Sequence, residues 1–321
     1  MFRNLGFALI PLLPLIAADE RTCTMRDAAV PTNVEVRVLC DQGLLLVTAD
    51  DGATWATPRR IAPTGGFRAL AFIDSNRGIA VGDGGKIFAT ADTGKTWQAR
   101  QSGVTENLTD IQMNGNQGWI AGYSGIVLHT ADGGQTWAAQ NTGTKLSLEA
   151  ISFVDDQNGW AAGWSGTVIH TADGGKSWTT VKNTGASWSL SAIYFHDAKL
   201  GFVSGFAGQL FRTKDGGSTW EPRKVPVSGW LTSIASDTGN RLWITTDEGF
   251  LLSEDQGETW KLQKAESKLF INKLLRNTGS LWALGPFGLL KQQGNGVQFK
   301  RILNPLSGDA DQQAAAPPAK Q

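Results

Sequence analysis

Six aspartates recur at almost constant spacing, and each stands in the same phrase, Ser/Thr-x-Asp-x-Gly-x-Ser/Thr-Trp. A carboxylate held in such a loop could act as a catalytic acid or as a calcium ligand. A calcium loop would need further oxygen ligands and a distal glutamate at a fixed spacing, and neither recurs around these residues. Six near-identical copies are also more than one active site requires. We therefore interpret them as structural: Asp50, Asp92, Asp132, Asp173, Asp215 and Asp255.

The phrase has the chemistry of a clasp on a tight turn. An aspartate at the head of a turn can accept hydrogen bonds from backbone N–H groups ahead of it. The glycine two residues later adopts a positive φ without steric cost. The tryptophan that ends the phrase starts the next strand, where its ring can pack against a neighbouring sheet. The clasp tryptophans are Trp55, Trp97, Trp137, Trp178, Trp220 and Trp260.

A repeated sheet must position the clasps, because they recur every 40–42 residues. This period is typical of a β-propeller or a related array. One period holds four apolar runs separated by turn residues, which matches the four-stranded antiparallel blade of a propeller. In the fourth unit the runs are 147–154, 158–164, 166–171 and 176–181.

The number of units predicts an all-β, seven-bladed β-propeller over residues 19–304. The first unit covers residues 25–58. The seventh unit, residues 270–303, lacks both the aspartate and the tryptophan of the clasp, as terminal repeats are often atypical. We therefore expect six blades with clasps and one degenerate blade.

The two ends of the chain differ from the repeats. Residues 1–18 have the basic residue, apolar run and small final residues of a secretory signal peptide. Residues 305–321 have few bulky apolar side chains and are predicted to be a disordered tail. The leader predicts export, to the periplasm in a bacterium.

Export bears on the two cysteines, because disulfides form in oxidising compartments. Cys23 and Cys40 flank the first predicted hairpin at equal distances from a turn near Pro31-Thr32. They could therefore face each other across the strand pair, and we predict a Cys23–Cys40 disulfide. The alternative is a pair of free thiols.

Composition limits the partners. The formal net charge is zero, so no nucleic-acid partner is expected. We also expect no stable membrane insertion once the leader is cleaved. The chain has thirteen tryptophans, and four outside the clasps occupy equivalent positions on predicted second strands, where they are most simply core residues between blades: Trp119, Trp160, Trp243 and Trp282.

One predicted face of the disc collects aromatic residues that the clasps do not use. In an up-and-down blade, the loops after the first and third strands lie on one face, and the loops after the second and fourth lie on the other. The clasps occupy the first face. The second carries five candidate binding residues, which could instead cap the ends of the blades: Tyr123, Trp164, Phe206, Trp188 and Trp230.

Two arginines begin predicted first strands near the same rim. Arg26 and Arg68 hold corresponding positions in neighbouring blades. Together they could bind an acidic group or a C-terminal carboxylate, or they could be solvated charges.

The clasp resembles the Asp-box, or bacterial neuraminidase repeat, and the repeats resemble more narrowly the photosystem II stability/assembly factor family. The units that carry this resemblance are 67–97 and 148–178, each ending in Thr-x-Asp-x-Gly-x-Ser/Thr-Trp, and the resemblance covers about residues 24–303. It implies a non-enzymatic exported propeller that binds a protein or peptide segment of a membrane complex. In photosynthetic organisms such proteins lie in the thylakoid lumen and assist assembly of a photosystem II subunit. The arginine-rich patch associated with that contact is not matched, since no arginine occurs between Arg100 and Arg212.

Two other functions remain open. A sialidase-like glycosidase needs three arginines, a Tyr-Glu pair and an aspartate, but the only tyrosines are Tyr123 and Tyr194, and 40–42-residue periods leave little room for catalytic insertions. A carbohydrate-binding module could use the aromatic face to stack sugars. We predict no catalytic residue, no cofactor and no metal site, because the histidines have no ligand-spaced partners.

Overall fold

The computed structural model describes residues 23–32, 34–181, 184–264, 271–276, 280–285, 288–294 and 296–302. These residues form seven four-stranded antiparallel sheets, each built from four consecutive strands. The chain is therefore the predicted seven-bladed β-propeller. The predicted signal peptide and C-terminal tail lie outside the described residues, as do the outer limits of the predicted domain. No helix within the described part is long and apolar enough to span a membrane.

The first four blades contain the following strands: β1 (Met25–Ala29), β2 (Val36–Cys40), β3 (Leu44–Thr48), β4 (Arg59–Arg60); β5 (Phe67–Phe72), β6 (Gly78–Gly82), β7 (Ile87–Thr90), β8 (Gln98–Arg100); β9 (Leu108–Asn114), β10 (Gln117–Gly122), β11 (Val127–Thr130), β12 (Ala138–Ala139); β13 (Leu148–Phe153), β14 (Gly159–Gly163), β15 (Val168–Thr171), β16 (Thr179–Thr180). The last three contain β17 (Leu190–Phe195), β18 (Gly201–Gly205), β19 (Leu210–Thr213), β20 (Glu221–Pro222); β21 (Leu231–Ser236), β22 (Leu242–Thr246), β23 (Gly249–Ser253), β24 (Lys261–Lys264); β25 (Lys273–Arg276), β26 (Leu281–Gly285), β27 (Gly288–Gln292), β28 (Phe299–Ile302).

Each clasp closes the turn between the third and fourth strands through the same hydrogen bonds. In the fourth blade the Thr171 hydroxyl donates to Asp173 Oδ1 at 2.8 Å and accepts from the Gly175 N–H at 2.8 Å. Asp173 also accepts from the backbone N–H and the hydroxyl of Ser177, at 2.9 and 2.6 Å. The other five clasps repeat these bonds. Both carboxylate oxygens are thus used inside the turn.

The clasps also join neighbouring blades. The indole N–H of Trp119, on a second strand, donates to the carbonyl oxygen of Gly174 in the next blade's clasp at 3.0 Å. Trp160 makes the same bond to Gly216 at 2.9 Å. Since the seventh blade has no clasp, Trp243 donates instead to Asp237 Oδ2 at 2.9 Å. The second-strand tryptophans are buried between blades, as predicted.

The first blade departs from this pattern. Arg37 occupies the position that holds tryptophan in four other blades, and it is fully buried. Its guanidinium donates to Glu35 Oε1 and to the Ser75 carbonyl, and its Cζ lies 4.0 Å from the centroid of the Phe72 ring. A cation stacked on the next blade therefore replaces the ring.

The ring closes by side-to-side packing, because among the described strands no blade borrows one from another. Trp282 and Leu289 of the seventh blade share a buried cluster with Val38 of the first. Lys291 Nζ also lies 2.7 Å from Asp51 Oδ1.

Two local predictions in the first unit were wrong. The fourth strand is Arg59–Arg60, beyond the clasp tryptophan rather than starting with it. In the first hairpin Ala28 faces Val38 and Ala29 faces Arg37, so the turn is centred near residue 33 rather than at Pro31-Thr32.

Cys23 and Cys40 nevertheless form a disulfide, with their Cα atoms 5.3 Å apart. A register shift between Met25 and Asp27 places Met25 opposite Cys40. Cys23 therefore reaches Cys40 from just beyond the paired strand, and not from the directly opposed position that the sequence argument assumed.

Candidate functional site

Tight turns between the second and third strands present several of the predicted binding residues. Four of them are single 3-10 turns: Asp83–Gly85, Tyr123–Gly125, Trp164–Gly166 and Phe206–Gly208. The middle residue of each has a φ between 55° and 66°. The final glycine packs against the loop to the next blade, since a Cβ on Gly166 would lie 2.5 Å from the Ala186 carbonyl oxygen. One backbone shape thus carries a different first side chain in each blade.

The predicted aromatic residues lie in two contacting groups, which we call together the aromatic arc: Tyr123, Trp164, Trp188, Phe206 and Trp230. The centroids of the Tyr123 and Trp164 rings are 5.7 Å apart. Phe206 makes edge contacts with Trp188 and Trp230, at 5.7 and 5.6 Å. Trp188 and Trp230, on loops that lead from one blade to the next, therefore lie beside Phe206 on a turn between second and third strands. The sequence predicted that these two kinds of loop share one face.

The arc is open to solvent. Trp164, Trp188 and Trp230 are 46%, 55% and 54% exposed, and Phe206 is 40% exposed. A cavity of about 500 Å³ lies among these four rings. Its remaining lining consists of Glu149, Ser189, Leu190 and Ser191. Exposed aromatic groups around a concavity with a few polar atoms are typical of recognition sites.

The two predicted arginines do not form a joint clamp. Arg68 Nε donates to Asp83 Oδ1 at 2.5 Å, and its Cζ lies 5.5 Å from the centroid of the Tyr123 ring. Arg26 is half exposed and lies 3.8 Å from Asp41. Each is thus paired with an aspartate of its own blade, while both line the wall of the central channel.

The first strands surround this channel, and a partly buried cation lies in it. Lys273 Nζ is 3.2 Å from Asp27 and 3.3 Å from Asp110. Burial raises the pKa of Asp27, although Lys273 opposes this shift. Asp27 also accepts a hydrogen bond from the Leu70 N–H of the next blade, and Asp110 accepts one from Ile151. The cluster therefore ties five blades together around the channel.

The clasp aspartates have the electrostatics of structural carboxylates. The hydroxyl and backbone N–H of Thr96 lower the pKa of Asp92 to about 2, and Ser177 has the same effect on Asp173. A group held so firmly as the anion is a poor general acid near neutral pH. The clasps are thus placed in the turns that the sequence predicted, with their hydrogen-bonding capacity already used.

Two of the three histidines pack against core tryptophans, and the third, His196, is exposed. His170 stacks on Trp160 at 4.8 Å, and His129 lies 5.4 Å from Trp119 and contacts Gln117. Burial lowers the pKa of both imidazoles. In the described part of the chain, no three His, Cys, Asp or Glu residues are grouped to hold a metal ion.

Two features escaped sequence reasoning. Glu149 belongs to no motif that the sequence shows, yet it lines the aromatic cavity and its Oε1 accepts the indole N–H of Trp164 at 2.6 Å. Lys273 was not singled out, although a lysine on a first strand, which faces the channel, is a signal in itself, since lysines removed from solvent are usually paired.

These observations define a seven-bladed β-propeller with its clasps on one face and exposed aromatic side chains on the other. The sequence matches the model of the family described as photosynthesis system II assembly factor YCF48 over residues 64–150 and 183–279. These segments make up more than half of the chain, which therefore belongs to this family. No curated protein sequence matches it significantly.

Solved structures share the fold at low sequence identity. A structure described as YCF48 bound to D1 peptide has a TM-score of 0.63 at 21% identity, covering 87% of this chain and 88% of its own. YCF48 from Cyanidioschyzon merolae has a TM-score of 0.58 at 19% identity, covering 75% and 85%. The WD40 propeller domain of Doa1 reaches 0.72 at 10% identity, covering 85% and 94%. The similarity to Doa1 shows how widely this architecture is shared.

Proposed function

We propose that the protein is a non-enzymatic scaffold that binds a peptide segment of a membrane protein through the aromatic arc and assists assembly of the complex containing that segment. The observation that carries this proposal is the set of four exposed rings around one cavity. Tryptophan and tyrosine are enriched among the residues that dominate protein interfaces. Four such rings left in water are costly unless a partner covers them.

Family membership supports the same role. The family is described as an assembly factor of photosystem II, and one structural neighbour is described as bound to a D1 peptide. A peptide from a membrane complex is therefore the partner class we propose for this chain. A photosystem partner follows only if the source organism is photosynthetic.

The described channel favours binding over catalysis. A sialidase-like site would use three arginines, whereas two arginines, Arg26 and Arg68, line this channel among the described residues. Tyr194 donates its hydroxyl hydrogen to Ser236, and burial raises the pKa of this phenol. These contacts support a structural role for Tyr194.

We further propose that the protein acts outside the cytoplasm, in the periplasm or, in a photosynthetic source, in the thylakoid lumen. The leader-like residues 1–18 and the Cys23–Cys40 disulfide support this location, because such bridges persist in oxidising compartments.

The test is recovery of partners from native membranes with three forms of the mature protein: wild type, a Trp164→Ala/Trp230→Ala variant, and a Val34→Ala control. The Val34 side chain is 46% exposed, and its carbonyl oxygen accepts the N–H of Asp51 in the first clasp. Val34 therefore lies on the clasp face, away from the aromatic arc. We expect wild type and the control to recover the same membrane-protein subunit, and the double variant to lose it. A synthetic peptide from that subunit should then bind with the same order of affinities.

Two results would count against this function. Equal recovery by all three forms would exclude the aromatic arc as the binding surface. Recovery of no protein, together with sugar binding that depends on Trp164, would favour the carbohydrate-binding alternative.

A further inference from the structure

The aromatic cavity has an uneven charge. Four of its eight lining residues are exposed aromatics, and Glu149 is the only one that carries a charge. No lysine or arginine in the described part of the chain lies within ion-pair distance of Glu149. Arg68, a neighbouring cation on the channel wall, is close enough to feel the charge of Glu149 but makes its ion pair with Asp83. The cavity therefore combines π faces with one carboxylate that forms no ion pair within the described part of the chain.

Glu149 is held in place rather than free to turn away. Its Oε1 accepts the indole N–H of Trp164 at 2.6 Å, which also fixes the orientation of that ring. No described residue bonds its Oε2. Because Glu149 follows Leu148, which is fully buried, its backbone is anchored in the inner strand β13. The carboxylate thus lies on a rigid element beside the rings.

Each class of occupant would have a different energetic consequence. An apolar side chain that filled the cavity would strip water from Glu149 without replacing its hydrogen bonds, which is costly. An acidic side chain would be repelled. A cation would both pair with the carboxylate and interact with the ring faces, where lysine and arginine are favourably placed over tryptophan.

We propose that the cavity receives a lysine or arginine side chain of the bound peptide, with its charge against Glu149 and its methylene stem across the rings. This inference rests on the peptide-binding function proposed above and names the chemistry of the segment recognised. It differs from the sequence-based expectation that Arg26 and Arg68 bind an acidic group. Both arginines already have aspartate partners, whereas Glu149 forms no ion pair with a described residue.

The test uses three blocked peptides, acetyl-Ala-Ala-X-Ala-Ala-amide, with arginine, leucine or glutamate at X. Binding to the mature full-length protein is followed by NMR through the indole N–H signals of the arc. We expect the arginine peptide to perturb the Trp164 indole signal and to bind about tenfold more tightly than the leucine peptide. The glutamate peptide should bind most weakly, and the preference for arginine should shrink as salt rises.

The matched variant is Glu149→Gln, whose amide oxygen can still accept the Trp164 N–H. It should fold as wild type does and should bind the arginine and leucine peptides equally. Equal or tighter binding of the leucine peptide by wild type would overturn the proposal, as would a preference for arginine that survives in Glu149→Gln.

The outcomes separate the two proposals. If peptides bind at the arc without preference for a cation, the cationic specificity is wrong and the peptide-binding function stands. If no peptide perturbs the arc and Trp164→Ala/Trp230→Ala leaves recovery of membrane proteins unchanged, both are wrong.

Discussion

The two faces of the propeller use repetition in opposite ways. On the clasp face the side chains are nearly the same in six blades, and both carboxylate oxygens of each aspartate accept hydrogen bonds from within its own turn. On the other face the backbone of the turn is repeated, while its first residue changes from Asp83 to Tyr123, Trp164 and Phe206. Side chains repeated from blade to blade thus mark where the blade is held together. Varied side chains on a repeated backbone form the face that we propose selects a partner.

The largest effect that we expect from this contrast is a variant of the aromatic arc that loses peptide binding but still folds. Trp164→Ala/Trp230→Ala should weaken binding of the partner peptide about a hundredfold, because buried aromatic anchors typically carry much of the energy of an interface. Both side chains are about half exposed, so the melting temperature should change by no more than about 2 °C. Calorimetric titration and thermal unfolding of the same samples measure the two effects.

The contrast between the faces would fail if the double variant unfolded at a much lower temperature. Its rings would then be caps of the core, which is the alternative that the sequence left open. Val34→Ala is the control, since it removes exposed apolar surface from the clasp face.

The dependence of thermal stability on pH tests all six clasps together. The pKa of each clasp aspartate lies below its ordinary value of 3.8, and it is about 2 for Asp92, Asp173 and Asp255, where hydroxyl donors hold the anion. The unfolded chain takes up these protons first, so the contribution of the clasps is complete above about pH 4 and is lost as pH falls toward 2. Asp27, whose pKa is raised by burial, acts in the opposite sense.

We therefore expect the melting temperature of wild type to fall between pH 4 and pH 2. Asp92→Asn supplies the control because the amide does not titrate. It should be less stable than wild type at pH 7, and the difference should shrink as the pH approaches 2. A difference that stays constant with pH would show that the Asp92 carboxylate contributes no proton-linked stability.

The sequence predicts features that are local and repeated, and it misses contacts that the fold makes between distant residues. The six clasps and the second-strand tryptophans predicted the blade count and the core, because each is a local pattern repeated with a fixed period. The register of the first hairpin was missed because a one-residue bulge at Arg26 shifts the pairing, as equivalent bulges do in five other blades, and an alternation of side chains read from the sequence does not reveal it. The role of Glu149 was missed because its partner, Trp164, is brought to it only by the turn after the second strand.

Disruption of a single clasp should lower the free energy of unfolding more than loss of the arc tryptophans does, and it should leave peptide affinity unchanged. Thr171 is buried, and its hydroxyl bonds both Asp173 and the N–H of buried Gly175. Thr171→Val keeps the shape and leaves that N–H unsatisfied, so unfolding free energy should fall by about 1–3 kcal/mol. Denaturant titration measures the loss, and peptide affinity should not change.

The matched control is Thr180→Val, at an exposed position in the adjoining strand β16, which should leave stability nearly unchanged. If Thr171→Val were as stable as wild type, the repeated hydrogen bonds of the clasp would not be what holds the turn.

The smallest predicted effect compares the backbones of the two faces. Thr93 in the second clasp has a φ of 65°, where the third and fourth clasps have Gly133 and Gly174. A β-branched residue is strained in this region, and relief of about 1–2 kcal/mol exceeds the entropic cost of glycine, about 0.5–1 kcal/mol. Thr93→Gly should therefore stabilise the protein by about 0.5–1 kcal/mol in denaturant titration. Ala207, at φ 58° in an arc turn, is not β-branched, so Ala207→Gly should gain less. If Ala207→Gly gained more than Thr93→Gly, the greater backbone strain would lie in the arc turns and not in the clasps.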